Sequence, residues 1–449
     1  MKDILLNPGV LPLLGLIGIF YLAIAFNYLG TFIRYAIWLE QGCLLIFLIT
    51  ISGATGATIF PFTKFHPRLI SNPFVTPVTV IGQITLYSLA IVLLIPLLRH
   101  TLKPIIWVFG QVIVKDIFFF SFVVLILLSA TWSNDAALTF KTSLAIAEVC
   151  LFGVYFGQRF TWAEWLPLIR TWLLLLTVLA FLYGFLRPSV GTDLDGAWVG
   201  IHAHKNQFCF LMVLSSLFWF IKALYSPGAN RGSILVVLMS LFALNQGGSG
   251  AGRVIIVCLI ALWFYLGFVK QLPSQWAFTS VILFLIVSVC LTIVVTENLE
   301  FIVVDTLNKD LTFTGRTDFW PLILEELHKR PILGFGVDGF WQPWQGANNP
   351  ARNIIVAKTE FAPPHSHNGF MDLAVDLGYL GLTLFLASYL TTLAKAVLYL
   401  GRAAMPVAGV PLLLLTYTLM TNLSETGILG VTTILFFYVV TLTRVSLDT

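Results

Sequence analysis

FTSVILFLIVSVCLTIVVTENLEFIVVDTLNKDLTFTGRTDFW, residues 278–320, passes from an apolar run into a polar segment, and the two halves together decide the fold. The run at 276–296 carries no charged residue and is about as long as a helix needs to cross the hydrocarbon core. It does not alternate as a barrel strand would. Similar runs recur at 10–27, 37–60, 79–98, 113–130, 138–157, 166–186, 206–225, 231–246 (short for a crossing), 252–269, 369–394, 405–421 and 427–443. Only 10% of the 449 residues are charged, and 58% are hydrophobic. A soluble domain carries about 25% charged residues. With mean hydropathy +0.92, this chain could not cover its surface with polar groups in water. The expected fold is an all-α polytopic membrane bundle of about 12–13 transmembrane helices with a large extracytoplasmic loop that contains an amphipathic helix.

The polar half opens a segment from Glu297 to Asn368 that holds GRTDFW (315–320), KRPILGFGVDGF (329–340) and HSHNGF (365–370). A structureless loop of roughly 70 residues is improbable unless it is functional or folded in itself. The chain therefore divides into an N-terminal bundle (1–296), a large outer loop (297–366) and C-terminal membrane helices (367–449). The start, MKDILLNPGVLPLL, lacks a clear cleavage site, so the first run reads as a retained span. Arg99, Lys103, Lys115, Arg159, Lys222, Arg231, Lys270, Lys395, Arg402 and Arg444 fall on one side if each run crosses once, and that side is assigned to the cytoplasm. Lys64 and Arg68 fall on the other side under thirteen crossings, and twelve crossings is the alternative. The outer side receives TWSNDAAL (131–138), residues 187–206, NQGGSGAGR (245–253) and the long loop. A net charge of +4 spread over loops gives no case for nucleic acid. The five cysteines lie inside apolar runs with no CxxC pair and read as small buried hydrophobes.

Several residues on the outer side could carry chemistry. Arg253 follows the glycine-rich break; it either faces a wet cavity and a bound anion or snorkels to headgroups. Arg316 precedes an amphipathic helix suggested by FWPLILEELHK, with Thr317 or Asp318 as its cap, and stands where anions are favoured; its plainer reading is a loop arginine paired with a carboxylate. His367 can take a proton near neutral pH, and His365 could share or compete for that role. H-x-H alone lacks a third ligand, so no metal is expected. His204 and Lys205, in HAHKN, offer a hydrogen bond and a point charge, or else an interfacial anchor. The outer tryptophans Trp132, Trp198, Trp341 and Trp344 read first as an interfacial belt and second as sugar platforms. Asp372, Asp376 and Glu425 are functional suspects because they lie in or beside apolar runs. No nucleotide motif is present, which suggests a substrate already carrying its energy and a phosphate leaving group.

Arg316 to Trp320 forms Arg-x-x-x-Trp, Pro331 to Gly336 forms Pro-x-x-Gly-x-Gly, and His367-Asn368 stands nine residues before Gly378-x-x-Gly381. In this order the chain resembles the O-antigen ligase and polymerase superfamily. The resemblance implies metal- and ATP-independent, inverting transfer from an undecaprenyl-diphosphate-linked oligosaccharide donor to a glycan or lipid A core acceptor, with no cofactor. It implies that Arg253 and Arg316 hold the diphosphate and that His367 is the general base. Lys205, His204, His365, Trp320 and Asn368 are the expected substrate-binding residues. In the family the first arginine often follows serine; here it follows glycine, in GAGR. HKN at 204–206 resembles the exopolysaccharide repeat-unit polymerase branch more than the lipid A core ligases. The implied location is the bacterial inner membrane among membrane lipids, with the site facing the periplasm or cell exterior, and with room for a flippase or chain-length regulator as partner. A ligase is the alternative within this chemistry. A transporter is the alternative outside it, and would be expected to put its charges at the membrane midplane.

Overall fold

The computed structural model describes residues 33–53, 115–225, 230–297, 316–355 and 362–449. The runs expected at 10–27 and 79–98, together with Lys64, Arg68, Arg99 and Lys103, lie outside the described residues. The chain forms two compact units, Met1–Gln111 and Val112–Thr449. In the first, α1 spans Ile33–Ile51.

The second unit is a helical membrane bundle. Its helices are α2 (Ile117–Leu128), α3 (Ala136–Arg159), α4 (Trp162–Phe181), α5 (Lys205–Tyr225), α6 (Asn230–Gln246), α7 (Gly250–Val269), α8 (Ser274–Glu297), α9 (Arg316–Leu327), α10 (Gly369–Arg402), α11 (Val410–Asn422) and α12 (Thr433–Asp448). Five helical stretches are long and apolar enough to cross a membrane: α3, α4 with its extension to Leu186, α5, α7 and α10. Four more, within α2, α6, α8 and around α11, are apolar but shorter. No strand is present among the described residues beyond one isolated bridge between Thr192 and Trp198.

Local chemistry sets the helix ends. Asp135 caps α3 by accepting the Leu138 N–H. Thr161 and Glu164 form a reciprocal capping box at the start of α4. Packing then follows side-chain size. Gly153 and Gly157, one turn apart on α3, face α12 so closely that an added Cβ would come within 2.7 Å of Val439 and 2.9 Å of the Val440 carbonyl. Lipid offers as apolar a surface as a neighbouring helix, so close approach at small residues is what holds such a pair.

Chain direction separates two ends. α3, α5 and α7 begin at one end with Ala136, Lys205 and Gly250. Their far ends reach Arg159, Lys222 and Lys270. At that far end Lys270 donates to the Ala403 carbonyl, Lys395 to the Lys115 carbonyl, and Arg402 to the Thr449 carbonyl. Arg159, Lys222, Lys270, Lys395 and Arg402 therefore gather at the end away from the polar segments.

The outer segment folds onto α10. Phe319, Ile323 and Leu327 of α9 share a core with Phe335, Phe340, Ala351, Ile354, Ala374 and Val375. The amphipathic helix lies over the bundle, with its apolar face on this core. It begins at Arg316, so Thr317 and Asp318, expected as caps, stand inside its first turn instead.

Candidate functional site

The Pro-x-x-Gly-x-Gly and Gly-x-x-Gly motifs form one backbone clasp. α10 breaks at Gly378, where φ is +68°. Breaking a helix in the membrane orphans backbone groups on both sides. The loop satisfies both sets. The N–H groups of Phe335 and Gly336 donate to the Val375 and Asp376 carbonyls at 2.9 and 2.7 Å, while Tyr379 and Leu380 donate to the Pro331 and Ile332 carbonyls at 2.7 and 3.2 Å. A Cβ at Gly378 would lie 2.1 Å from the Ile332 oxygen, and one at Gly334 (φ +64°) 2.4 Å from that of Val375. The turn between α2 and α3 grips the same loop: Trp132 donates to the Leu333 carbonyl, Thr139 to the Val337 carbonyl and Thr142 to Asp338 Oδ2. Trp132 and the TWSND turn thus serve as a clip for the loop.

Asp372, in the first turn of α10, ties three segments. Its Oδ1 accepts the Trp341 indole N–H at 2.9 Å and the Ser366 N–H at 3.0 Å, and its Oδ2 accepts the Thr426 hydroxyl. Asn368 caps α10, its Oδ1 accepting the Phe370 and Met371 N–H groups. The Trp320 indole N–H donates to the Ser366 carbonyl at 3.0 Å. Between these anchors His367 adopts φ +55°, an uncommon conformation for a residue other than glycine.

Glu425, in the turn between α11 and α12, completes the cluster. Its Oε1 lies 3.4 Å from His367 Nδ1 and accepts from Asn206 Nδ2 at 2.5 Å; its Oε2 lies 3.6 Å from His365 Nε2. Burial raises the Glu425 carboxyl, but the His367 hydrogen bond and the charges of His365, His367 and His204 outweigh it and hold the group at about 2. Glu425 as a carboxylate only accepts, so the His367 Nδ1 facing it is the donor of the pair and Nε2 is the nitrogen on the other side of the ring. His365 has the opposite arrangement. Its Nδ1 accepts the His367 N–H at 3.1 Å, so its own proton lies on Nε2, facing Glu425. Burial, then the neighbouring His367, pushes the His365 pKa down.

One ligand atom from each of His365, His367 and Glu425 lies within 4.8 Å of the others, so a third metal-ligating group does accompany H-x-H. Two imidazoles and a carboxylate are a set that zinc accepts. As arranged, however, the His365 and His367 nitrogens facing the carboxylate are N–H donors, and ligation would require both rings to change tautomer.

The cationic side of the site lies along α5 and α7. Lys205 Nζ is 3.7 Å from Asp193 and 3.9 Å from Asp195, and Lys205 and His204 act electrostatically on one another. His204 is within electrostatic reach of Glu425 and His367. Arg253 is exposed in the first turn of α7 and donates to Asn245 Oδ1 at 3.1 Å. Ser249 caps α7, and Gly247 is packed so tightly on α5 that a Cβ would lie 2.4 Å from Cys209 Sγ. Trp198 is buried and its N–H meets the Gln246 carbonyl, which joins segment 187–206 to the glycine-rich break. The fold thus brings His365, His367, Glu425, His204 and Lys205 to one end of the bundle. Arg316 stands at the start of α9, with its side chain outside the described residues. His202, in the same segment, is buried and held neutral by that burial, at about 4.

In the sequence Asn206 has no separate role, Glu425 is only a functional suspect, and Asp372, one turn from Asp376, is a residue that could orient His367 or line the cavity. The signal for Glu425 was its position in NLSETG, a polar gap between the last two apolar runs. A comparison with curated proteins finds none that matches the chain. Residues 232–386, which hold the glycine-rich break, the clasp and the His-Asn turn, match the family model described as O-antigen ligase. Over that span, about a third of its length, the chain is similar to the O-antigen ligase family, within a multi-pass helical membrane protein.

Proposed function

We propose that this protein transfers a glycan from a polyprenyl-diphosphate-linked donor to a hydroxyl acceptor, and that repeat-unit polymerisation is its reaction. The observation that carries this reading is the Glu425–His367 pair with its open Nε2, set beside cationic groups at one end of a membrane bundle. In the reaction His367 Nε2 takes the proton of the acceptor hydroxyl as its oxygen bonds to the anomeric carbon. The bond from that carbon to the diphosphate breaks, and its electron pair leaves with the lipid diphosphate. Lys205, Arg253 and Arg316 offset the charge on the leaving group. Glu425 stays ionised and stabilises the imidazolium that forms, the same division of labour as in a nucleophile–histidine–carboxylate triad. A positioned general base contributes about 10²- to 10⁴-fold. No residue in this scheme needs a metal or a nucleotide.

The polymerase reading leans on His204, Lys205 and Asn206, which reach the base through Glu425. The family description favours the second reading, a ligase acting on lipid A core or another acceptor. One assay separates them. Full-length protein in nanodiscs is incubated with a lipid-diphosphate-linked repeat unit in EDTA without nucleotide. A ladder of lengthening lipid-linked chains is the expected product. Transfer only to added lipid A core would make it a ligase, and an intact donor in both would overturn the transferase reading.

A further inference from the structure

The segment WQPWQGANNPARNII (341–355) is tied to the turn of the candidate base through Asp372, and its construction is unlike the rest of the outer loop. Its first residue is fixed inward: Trp341 packs edge-on against Phe340 and donates to the same Asp372 oxygen that holds Ser366, between His365 and His367. The turn that follows is pre-organised. Gln342 is buried and donates to the Asp338 carbonyl at 3.0 Å, and Asn349 Oδ1 accepts the N–H groups of both Gln342 and Ala351 at 3.1 Å. Ile354 anchors the far end in the core.

Against this rigid base, the outer face is open. Trp344 is 39% exposed although every side chain that anchors the turn is buried or half-buried. Asn348 and Asn353 are exposed as well, and an added Cβ at Gly346 would meet nothing within 4 Å. Residues 341–351 contain no ionisable side chain. Gln342 Oε1 is buried with no hydrogen-bond partner among the described residues, an unmet acceptor within the turn.

An exposed indole in a turn rich in carboxamides is chemically specific. The indole offers an apolar plane for the C–H face of a pyranose, and amides both donate to and accept from hydroxyls. The cation of the turn, the exposed Arg352, donates to the Ala347 carbonyl at 2.6 Å and has further N–H groups that can donate to sugar hydroxyls. Trp344 stands three positions after Trp341, so their Cα atoms lie at most about 11 Å apart, within the length of a short oligosaccharide. We propose that the Trp341–Asn353 turn is a glycan subsite in which Trp344 stacks on a sugar ring of the chain being transferred or extended. The location of the sugar relative to the reaction rests on the transferase reading; its binding does not.

The test uses full-length protein in nanodiscs and, as probe, oligosaccharides released by mild acid from the envelope polysaccharide of the producing cell. Binding is measured by microscale thermophoresis, apart from turnover. Trp344→Ala is expected to weaken binding at least tenfold while melting like wild type. Trp344→Phe should stay within about threefold, and Asn348→Ala with Asn353→Ala should cost a smaller factor. Wild-type-like binding by Trp344→Ala would make Trp344 an interfacial anchor and overturn the subsite, as would no binding by the wild type. Binding that depends on Trp344 in a protein that does not turn over donor would leave the subsite standing and sink the transferase reading.

Discussion

At His367 the backbone is held at φ +55°, and the neighbours that hold it are hydrogen bonds to Asp372, Ser366 and Asn368 rather than its own side chain. A strained residue fixed by its surroundings frees its side chain for other work. Asparagine tolerates this region of backbone space, so His367→Asn removes the base and keeps the turn. Turnover of lipid-linked donor should fall about 10²- to 10⁴-fold with an unchanged melting temperature. His365→Asn should cost far less, because its Nδ1 is already engaged by the His367 N–H. Comparable losses in both variants would mean that the base assignment is wrong. The carboxylate makes a separate prediction. The Glu425 pKa is depressed from 4.5 to about 2, so below pH 4.5 the unfolded chain binds a proton that the folded chain refuses. Its contribution to stability is complete above 4.5 and lost as pH falls through 2. Glu425→Gln should therefore melt lower than wild type at pH 7, with the gap closing between pH 4.5 and 2 in thermal scans. His367 and Arg253 were legible in the sequence because a motif or a glycine break marks them. The Glu425 partnership was not, since 58 residues separate it from His367 and only the packing of α10 against α11 brings them together.

Two motifs that in the sequence carry only a resemblance are, at the scale of elements, architecture. The glycines of Pro-x-x-Gly-x-Gly and Gly-x-x-Gly lie where the loop backbone touches the break in α10. Residue spacing located them but could not say that each half supplies the hydrogen bonds the other lacks. The consequence is measurable by comparing glycines. Gly346 has φ +54° and nothing within 4 Å of an added Cβ, so Gly346→Ala carries only the left-handed backbone cost of about 1–3 kcal/mol. Gly378→Ala adds a clash with the Ile332 carbonyl, which is backbone and cannot rotate away. It should release the loop, lower the melting temperature much further than Gly346→Ala, and reduce turnover although it touches no substrate. Limited proteolysis should then cut within 331–355 in Gly378→Ala and spare the wild type. Equal protection in both would show that the clasp does not hold the loop. The amphipathic character of α9 was likewise legible, whereas its partner was not: its apolar stripe suits a bilayer surface as well as the Phe335–Ala374 core it actually covers.

For the whole molecule, polarity along the bundle axis is the property that function depends on. Lys270, Lys395 and Arg402 bond to carbonyls at the end where α7 and α10 finish, while Lys205, Arg253 and His367 stand where α5, α7 and α10 begin. This separation was readable in the sequence from loop charges alone, because a helix of about 20 apolar residues must deliver its two flanks to opposite sides. The number of spans was not, since runs such as 231–246 are too short to count with certainty and several runs fall outside the described residues. On the proposed reading, the positive-inside tendency puts the lysine-rich end in the cytoplasm and the His367 end outside, where a lipid-linked donor would meet the proposed base. Single cysteines test this in a cysteine-free background, made by replacing all five native cysteines. Asn348→Cys, on the exposed face of the outer turn, should react with a membrane-impermeant maleimide in intact cells. Gln271→Cys, beside Lys270 and exposed at the opposite end, should react only after the membrane is permeabilised. The reverse pattern would place the site in the cytoplasm, where a donor that has already crossed the membrane could not reach it. Labelling of both in intact cells would mean that the two ends share an aqueous path, which a transporter requires and a one-sided transferase does not.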